Sequence, residues 1–460
     1  MSTPVGGVKR YWGTRVSRES QGRLEVTSQP EWHTRCTHAC MAKDSPAVQV
    51  LSSQDAITAW QEDLYRRLHQ HPELSDQEVN TASAASEALH GSGYEVHDKI
   101  GTTGVVGVLR NGDGPTVLMR ADMDALPMKE ETGLPYASTD RQTDEAGNEV
   151  PVAHSCGHDV HVVTLMSAAR LLAQNRSAWH GTFVPLFQPA EELGRGADEM
   201  VKAGLATLIP KPDVALAQHV LPLPAGTLGT HAGPFLSTAA SIRITVHGRG
   251  SHGSMPQLSV DPVVLAAMIV VHLQTIVARE VAPGEFAVVT VGKLAAGTKS
   301  NIIPDRAIIE LNIRAYSDKM RKHLIDAIKR IVNSECMAAG SPQPPEFDLY
   351  DEYPLTSNNP QATVRVAAAF SEYFGDRAST VPEQSASEDF SIIPDALGVP
   401  YTYWALGGID AEQWHRAAAA GRLASDIPAN HSPKFAPVIQ PTLTTGTAAI
   451  VVAALAWLAA

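Results

Sequence analysis

The chain has few cysteines and no segment typical of a secreted protein. Only 4 of its 460 residues are cysteine, and Cys36, Cys40, Cys156 and Cys336 lack the spacing of a disulfide framework. Residues 1–47 are basic and polar and contain no apolar core of a signal peptide. We therefore expect a disordered N-terminal extension over residues 1–47 and a protein of the reducing cytoplasm.

Excess basic charge is absent, and a hydrophobic run of membrane-spanning length is not evident. The net charge of -13 argues against a protein that binds nucleic-acid phosphates. The apolar C-terminal run, Thr447 to Ala460, is shorter than the ~20 residues that a membrane span requires. We expect contact with neither nucleic acid nor membrane, and a buried C-terminal helix that closes the main domain.

The apolar and charged contents suit a soluble protein with a sizeable core. Apolar residues make up 44% of the chain and charged residues 18%. A chain of 460 residues exceeds one ordinary core, so two domains are expected. Helical and strand patterns alternate up to residue 236 and again after Thr356. This alternation predicts an α/β catalytic domain, residues 48–236 and 347–460, with a mixed, mainly parallel sheet flanked by helices.

The segment between these two parts has a different pattern. Ala240 to Val246 alternates apolar and polar side chains, as an antiparallel strand with one wet face does. A helix, two strands and a second helix follow, which predicts an inserted α+β open sandwich over residues 237–346. Within the first part, turn residues separate Gly104–Leu109 from Thr116–Met119, so these two strands are predicted to pair as a hairpin.

The densest chemical feature is the stretch from His154 to His161. It places a thiol, three imidazoles and a carboxylate within eight residues. Two adjacent carboxylates, Glu191 and Glu192, follow downstream, and His431 lies near the C-terminus. Together these residues supply ligands for a transition metal and one spare carboxylate to act as a base. The combination indicates metal-assisted hydrolysis.

The placement of these residues strengthens that interpretation. A single histidine is more often a core or surface residue, and a Glu-Glu pair is often a solvated helix start. Here, however, most candidates directly follow a predicted strand, where the crevice of an α/β sheet forms. The strand-following candidates are Asp122, Asp124, Glu191, Glu192 and His219. Because adjacent side chains diverge, one glutamate can bind metal while the other faces the substrate water.

Seven motifs, in order over residues 54–460, resemble the M20 metallopeptidases. They are similar in particular to the amidohydrolase branch of hippurate hydrolases, N-acyl-amino-acid amidohydrolases and auxin-conjugate hydrolases. The motifs are Leu68–Ser75, Arg120–Pro127, His154–Asp159, Gln188–Glu192, Gly250–Gly253, Ser387–Phe390 and Asn430–Pro433.

The resemblance implies a two-metal catalytic domain and an inserted lid domain that also forms a homodimer. It implies Glu191 as the general base and Asp124 as the group that orients a metal-bound histidine. His252 would reach the partner subunit's active site and steady the oxyanion, and Asn301 and Arg314 would hold the substrate carboxylate. The implied metal ligands are Cys156, His158, Glu192, His219 and His431.

The expected activity is hydrolysis of the amide bond of a small N-acyl or aryl-acyl amino acid. A thiolate ligand favours two divalent transition-metal ions (Zn, Mn, Co or Ni) over Mg or Ca. Three alternatives stay open at this point: a dipeptidase or aminoacylase of the same superfamily, a non-catalytic metal binder, and a thiol protease acting through Cys156. A non-catalytic binder would have no use for a base such as Glu191.

Overall fold

The computed structural model describes residues 45–459. The predicted extension lies outside the described residues except for its last three, and α1 begins among these. The helices are α1 (Pro46–Leu51), α2 (Thr58–Gln70), α3 (Val79–Gly91), α4 (His158–Gln174), α5 (Gly196–Lys202), α6 (Leu205–Leu208), α7 (Pro262–Arg279), α8 (Asp318–Ala338), α9 (Pro360–Phe374), α10 (Ile392–Leu397), α11 (Ala411–Ala419), α12 (Leu423–Asp426) and α13 (Ile439–Leu458). The strands are β1 (Glu95–Ile100), β2 (Gly104–Asn111), β3 (Thr116–Asp122), β4 (Arg141–Thr143), β5 (Glu149–Pro151), β6 (Gly181–Gln188), β7 (Val214–Pro224), β8 (Leu228–Thr230), β9 (Gly233–Leu236), β10 (Thr238–His247), β11 (Ser251–His252), β12 (Ala287–Ala296), β13 (Ile302–Ile303), β14 (Arg306–Ala315), β15 (Glu346–Tyr353), β16 (Thr356–Asn358), β17 (Ala378–Thr380) and β18 (Tyr401–Ile409).

An eight-stranded mixed sheet forms the centre of the larger part of the fold. Its strand order is β1-β2-β6-β3-β7-β18-β8-β17. The central strands β6, β3, β7 and β18 are parallel to one another, so their carboxyl ends meet at one edge. The predicted α/β fold with a mixed sheet is confirmed.

The predicted hairpin of β2 and β3 is wrong. Strand β6 lies between them, antiparallel to β2 and parallel to β3. The turn residues between β2 and β3 therefore connect two strands that do not pair. The sequence pattern marked the chain reversal but could not show that a later strand occupies the intervening position.

Helices cover both faces of the central sheet. In β3, Val117 and Met119 pack into the core on one face, whereas Leu118 packs into the core on the other. All seven residues of β3 are buried, as expected for a strand covered on both sides. The strand is therefore rigidly held, and so are the acidic residues at its carboxyl end.

A second sheet has the order β12-β14-β10-β15 and its own core, formed with α7 and α8. Strand β10 alternates as predicted: Ile242 and Ile244 are buried, whereas Arg243 is exposed. Strand β15 adds to this sheet after the last predicted helix, because Phe347 and Leu349 pack against the same core. We call residues 238–353 the small-sheet unit. The predicted domain boundaries themselves stay predictions.

Two described helices, α7 and α13, are long and apolar enough to cross a membrane by length and composition. In α13, 83% of the most apolar window is buried, against 33% in α7. Helix α13 packs against α4 and α9 and against the central sheet. The C-terminal run thus belongs to a buried core helix, as the sequence indicated.

Candidate metal centre

The candidate site is built at the carboxyl edge of the central sheet. Strand β3 ends at Asp122, with Asp124 two residues on, and β6 ends just before Glu191. Helix α4 begins at His158, directly after Gly157, whose φ is 87°. A Cβ at Gly157 would lie 2.4 Å from Val220 Cγ1, so only glycine lets the chain turn here between Cys156 and His158.

The structure brings the five predicted ligands together. Donor atoms of Cys156, Glu192 and His431 lie within 4.8 Å of one another, and His158 forms a similar group with Glu191 and Glu192. The Sγ of Cys156 lies 3.4 Å from Nε2 of His219. The five side chains therefore form one continuous constellation, with Glu191 beside it.

Two buried atoms in this constellation that could bind a metal have no hydrogen-bond partner and lie close together. Among the described residues, neither Nε2 of His158 nor Oε1 of Glu192 has a hydrogen-bond partner, and these two atoms lie 3.8 Å apart. Leaving such groups unpaired is costly in a protein interior. A cation between them would satisfy both, so the residues present fit a metal site.

Asp124 has the position expected of an orienting carboxylate. Its Oδ1 lies 3.2 Å from Nδ1 of His158. Its other oxygen accepts from Ser75 Oγ at 2.6 Å and from the backbone N–H of Glu192 at 2.9 Å. One carboxylate thus fixes both the ring of His158, leaving Nε2 free to bind, and the backbone of Glu192.

His161 belongs to the ligand-rich stretch found in the sequence, but no role was predicted for it. His161 lies close to Asp122, His158 and His219. Its Nδ1 bonds Asp122, and its Nε2 accepts the N–H of Val220 at 2.8 Å. Both ring nitrogens are engaged, so His161 holds strands β3 and β7 together and leaves metal binding to its neighbours.

A buried ion-pair network underlies the site and was also missed. The guanidinium of Arg120 donates to Oε1 of Glu388 at 2.8 Å and also bonds Asp122. Tyr403 Oη donates to Oε2 of Glu388 at 2.7 Å. Arg120 and Glu388 belong to two of the recognised motifs, which was the available signal. Their pairing joins residues 268 positions apart and became visible only in the fold.

Electrostatics at the site favour a bound cation. Burial raises the pKa of Glu191 well above its usual range, and Glu388 and Glu192 add to this effect. Burial also raises the pKa of the Cys156 thiol. Hydrogen bonds with Cys156 and Glu192 raise the pKa of His431 to about 10. A metal ion would supply the positive charge that this acidic, desolvated group lacks.

The turn that carries Glu191 has an unusual backbone. Ala190 is buried and has a φ of 48°, which costs roughly 1–2 kcal/mol in a residue with a Cβ. A Cβ at Gly196 would lie 1.7 Å from the carbonyl oxygen of Pro189, so the turn closes only over a glycine. The surrounding contacts must hold this conformation in place.

A pocket of about 520 Å³ opens in front of the constellation. The predicted carboxylate-binding residue Arg314 lies on its wall and donates to the carbonyl oxygen of Ser385 at 2.9 Å. Apolar and aromatic side chains form one part of the wall. They are Leu221, Pro222, Phe235, Leu236, Tyr353 and Tyr403.

His252 and Asn301 lie elsewhere in the small-sheet unit. His252 pairs with Ile302 in the ribbon of β11 and β13, and the carbonyl oxygen of Asn301 accepts the N–H of Gly253 at 2.8 Å. Neither residue lines the pocket in front of the constellation. Within this chain, the structure therefore does not bring His252 or Asn301 to Glu191.

Residues 118–423 match the sequence pattern of Peptidase family M20/M25/M40. Thermostable carboxypeptidase 1 of Saccharolobus solfataricus is 36% identical over 76% of this chain and 86% of its own length. Hippurate hydrolase of Campylobacter jejuni is 35% identical over 74% of this chain and 87% of its own length. N-acetylcysteine deacetylase of Bacillus subtilis is 32% identical over 77% of this chain and 89% of its own length.

Solved structures have the same fold. A dinuclear metal-binding peptidase of the M20 family from Bacillus subtilis matches with a TM-score of 0.70 at 27% identity, over 87% of this chain and 98% of the other. A solved structure from methicillin resistant Staphylococcus aureus matches with a TM-score of 0.77 at 30% identity, over 89% of this chain and 99% of the other. The similarity thus extends over nearly the whole of both solved chains.

Proposed function

Because this chain belongs to peptidase family M20/M25/M40, we propose that it is an amidohydrolase that cleaves N-acyl or aryl-acyl amino acids or similar small conjugates. The names N-acetylcysteine deacetylase, hippurate hydrolase and IAA-amino acid hydrolase among its relatives support this substrate class. The observation that carries the proposal is the position of Glu191. Its buried carboxylate lies 3.9 Å from Nε2 of His158, beside the predicted ligands.

The proposed cofactor is a pair of divalent transition-metal ions, Zn, Mn, Co or Ni. The residues that would hold them are Cys156, His158, Glu192, His219 and His431. A thiol and three imidazoles in the set favour these borderline metals over Mg or Ca. When bound, such ions polarise the amide carbonyl and lower the pKa of water.

Residues of the chain itself transfer the proton and bind the substrate. Glu191 takes a proton from the attacking water and passes it to the nitrogen of the leaving amine. Arg314 would bind the substrate carboxylate, with the apolar wall of the pocket receiving the acyl group.

A substrate panel tests this function. We expect the purified protein to hydrolyse hippurate, N-acetyl and indole-acyl amino acids faster than unblocked dipeptides. We also expect the C-terminal amide of each good substrate to have a higher KM, because Arg314 can no longer pair with a carboxylate. An Arg314→Ala variant serves as the control and should treat acid and amide alike. Faster turnover of dipeptides would instead favour the peptidase alternative, which the carboxypeptidase relatives represent.

We also propose a homodimer formed through the small-sheet unit, in the cytoplasm. Helix α7 exposes five large apolar side chains: Val263, Val264, Met268, Val271 and Val277. Strand β12 lies at the edge of its sheet and exposes Leu294. An apolar helix face beside an edge strand can pair with its own copy about a two-fold axis. His252 would then enter the partner's site.

Subunit complementation tests the dimer. We expect His252→Ala and Glu191→Gln chains to be nearly inactive alone. Mixed in equal amounts and allowed to exchange, they should recover about a quarter of wild-type activity, because half of the dimers then contain one intact site. Sedimentation of the wild-type protein gives the oligomeric state independently. A monomer in sedimentation, or a mixture as inactive as its parts, would contradict the proposed arrangement.

A further inference from the structure

The loop before α3 contains two buried glutamates that act on different parts of the fold. Glu73 and Glu78 are 4% and 0% exposed. Glu73 caps the helix: its carboxylate accepts the backbone N–H groups of Asn80 and Thr81 at 2.9 and 2.8 Å. A carboxylate at this end of a helix satisfies otherwise unpaired donors. Glu73 thus fulfils the role that the N-cap residue usually has.

Glu78 occupies the N-cap position of α3, but its side chain makes no capping hydrogen bond. Its Oε1 instead accepts the N–H of Ala190 at 2.9 Å and that of Asp76 at 3.0 Å. Its Oε2 accepts the hydroxyl of Thr103 at 2.6 Å. Because Glu73 caps the helix, Glu78 is free to reach across to the turn that carries Glu191.

The geometry points to Glu78 as a positioning residue, which holds the left-handed turn at Ala190 and thereby aims the carboxylate of Glu191. Ala190 directly precedes Glu191, and its φ of 48° is unfavourable for any residue with a Cβ. The bond from its N–H to Glu78 favours this conformation over the ordinary one. The inference rests on the proposed role of Glu191 as the base.

The neighbouring residue Glu192 has a separate support. Its backbone N–H donates to Asp124 at 2.9 Å, a bond that Glu191 does not share. Tyr353 Oη contacts the carbonyl oxygens of both residues, at 3.1 Å for Glu192 and 3.4 Å for Glu191. Loosening the bond between Glu78 and Ala190 should therefore misplace Glu191 while leaving the metal ligand Glu192 in position. This separates an effect on the base from an effect on the metal.

Two substitutions at position 78 separate the effect of side-chain length from the effect of side-chain charge. Glu78→Gln keeps the length of the side chain, so its carbonyl oxygen can still accept from Ala190 while its amide donates to Thr103. Burial, with the nearby charge of Asp124, raises the pKa of Glu78 to about 7. Glu78→Asp keeps a carboxylate but shortens the side chain by one methylene, which moves the carboxylate away from the N–H of Ala190.

We expect Glu78→Asp to lower kcat by about 100-fold, the loss that a misplacement of about 1 Å causes, with KM and metal content unchanged. Glu78→Gln should keep a kcat close to that of the wild type. Hydrogen exchange gives a readout independent of activity: amides of residues 188–196 should exchange faster in Glu78→Asp than in the wild type or Glu78→Gln. If Glu78 served stability alone, its substitution would change the melting temperature, but Glu78→Asp and Glu78→Gln would not differ in kcat or in exchange at residues 188–196.

Glu73→Gln and Glu73→Asp are the matched controls. They alter a buried carboxylate in the same loop, so they should lower the melting temperature but leave kcat and exchange at residues 188–196 unchanged. The inference is overturned if Glu78→Asp keeps wild-type kcat and exchange, if Glu78→Gln is as impaired as Glu78→Asp, or if metal content falls together with kcat. A wild-type protein inactive on every N-acyl amino acid would refute the proposed function, whereas the exchange measurement would still test Glu78.

Discussion

Replacing Glu191 by glutamine is expected to lower kcat by about 10²–10⁴-fold, the usual contribution of a positioned proton-transfer group. The amide of glutamine keeps the size of the side chain but cannot accept a proton from water. KM should change little, because Glu191 acts on the reacting water and Arg314 binds the substrate. Steady-state kinetics on hippurate, with metal content measured on the same sample, would check this expectation.

Glu192→Gln provides the matched control, since the two glutamates are neighbours of identical chemistry. Oε2 of Glu192 lies 3.3 Å from Nε2 of His431, and its Oε1 faces His158. We therefore expect Glu192→Gln to lose bound metal, and Glu191→Gln to retain it. Full turnover by a metal-loaded Glu191→Gln enzyme would refute the proposed mechanism.

Removal of the metal ions is expected to abolish hydrolysis of every substrate in the panel. Without cations, the buried cluster lacks the Lewis acid, and its donors lack their partner. Activity should return when Zn, Mn, Co or Ni is added back singly, and the ion that restores the highest kcat would indicate the preferred metal. Turnover that survives complete chelation, as verified by metal analysis, would contradict the proposal.

Substitution of Asp124 tests the same metal dependence by weakening metal binding without removing the metal completely. Asp124→Asn should weaken metal affinity by about 10–100-fold, as changes behind a metal ligand typically do. The reason is that Asp124 holds both the ring of His158 and the backbone of Glu192. Excess metal should restore much of the lost activity. If excess metal restores no activity, Asp124 does not act by orienting the metal ligands.

The local patterns of the chain predicted many elements correctly. The alternation over residues 240–246 matches β10, and the apolar C-terminal run lies in the buried helix α13. Such patterns succeed because side-chain periodicity records which face is buried. The pairing of β2 with β3 failed for the opposite reason: strand order depends on a segment some sixty residues further along, which no local pattern encodes.

The sequence by itself determined the chemical inventory: a thiol, imidazoles and two adjacent glutamates at strand ends, in motifs that identified the family. Only the tertiary structure decided how these groups are held. It paired Arg120 with Glu388, engaged both nitrogens of His161, and directed Glu78 away from its own helix to Ala190. The physical reason is that metal-ligand chemistry follows from residue type, whereas orientation follows from hydrogen bonds between segments that meet only in the folded chain.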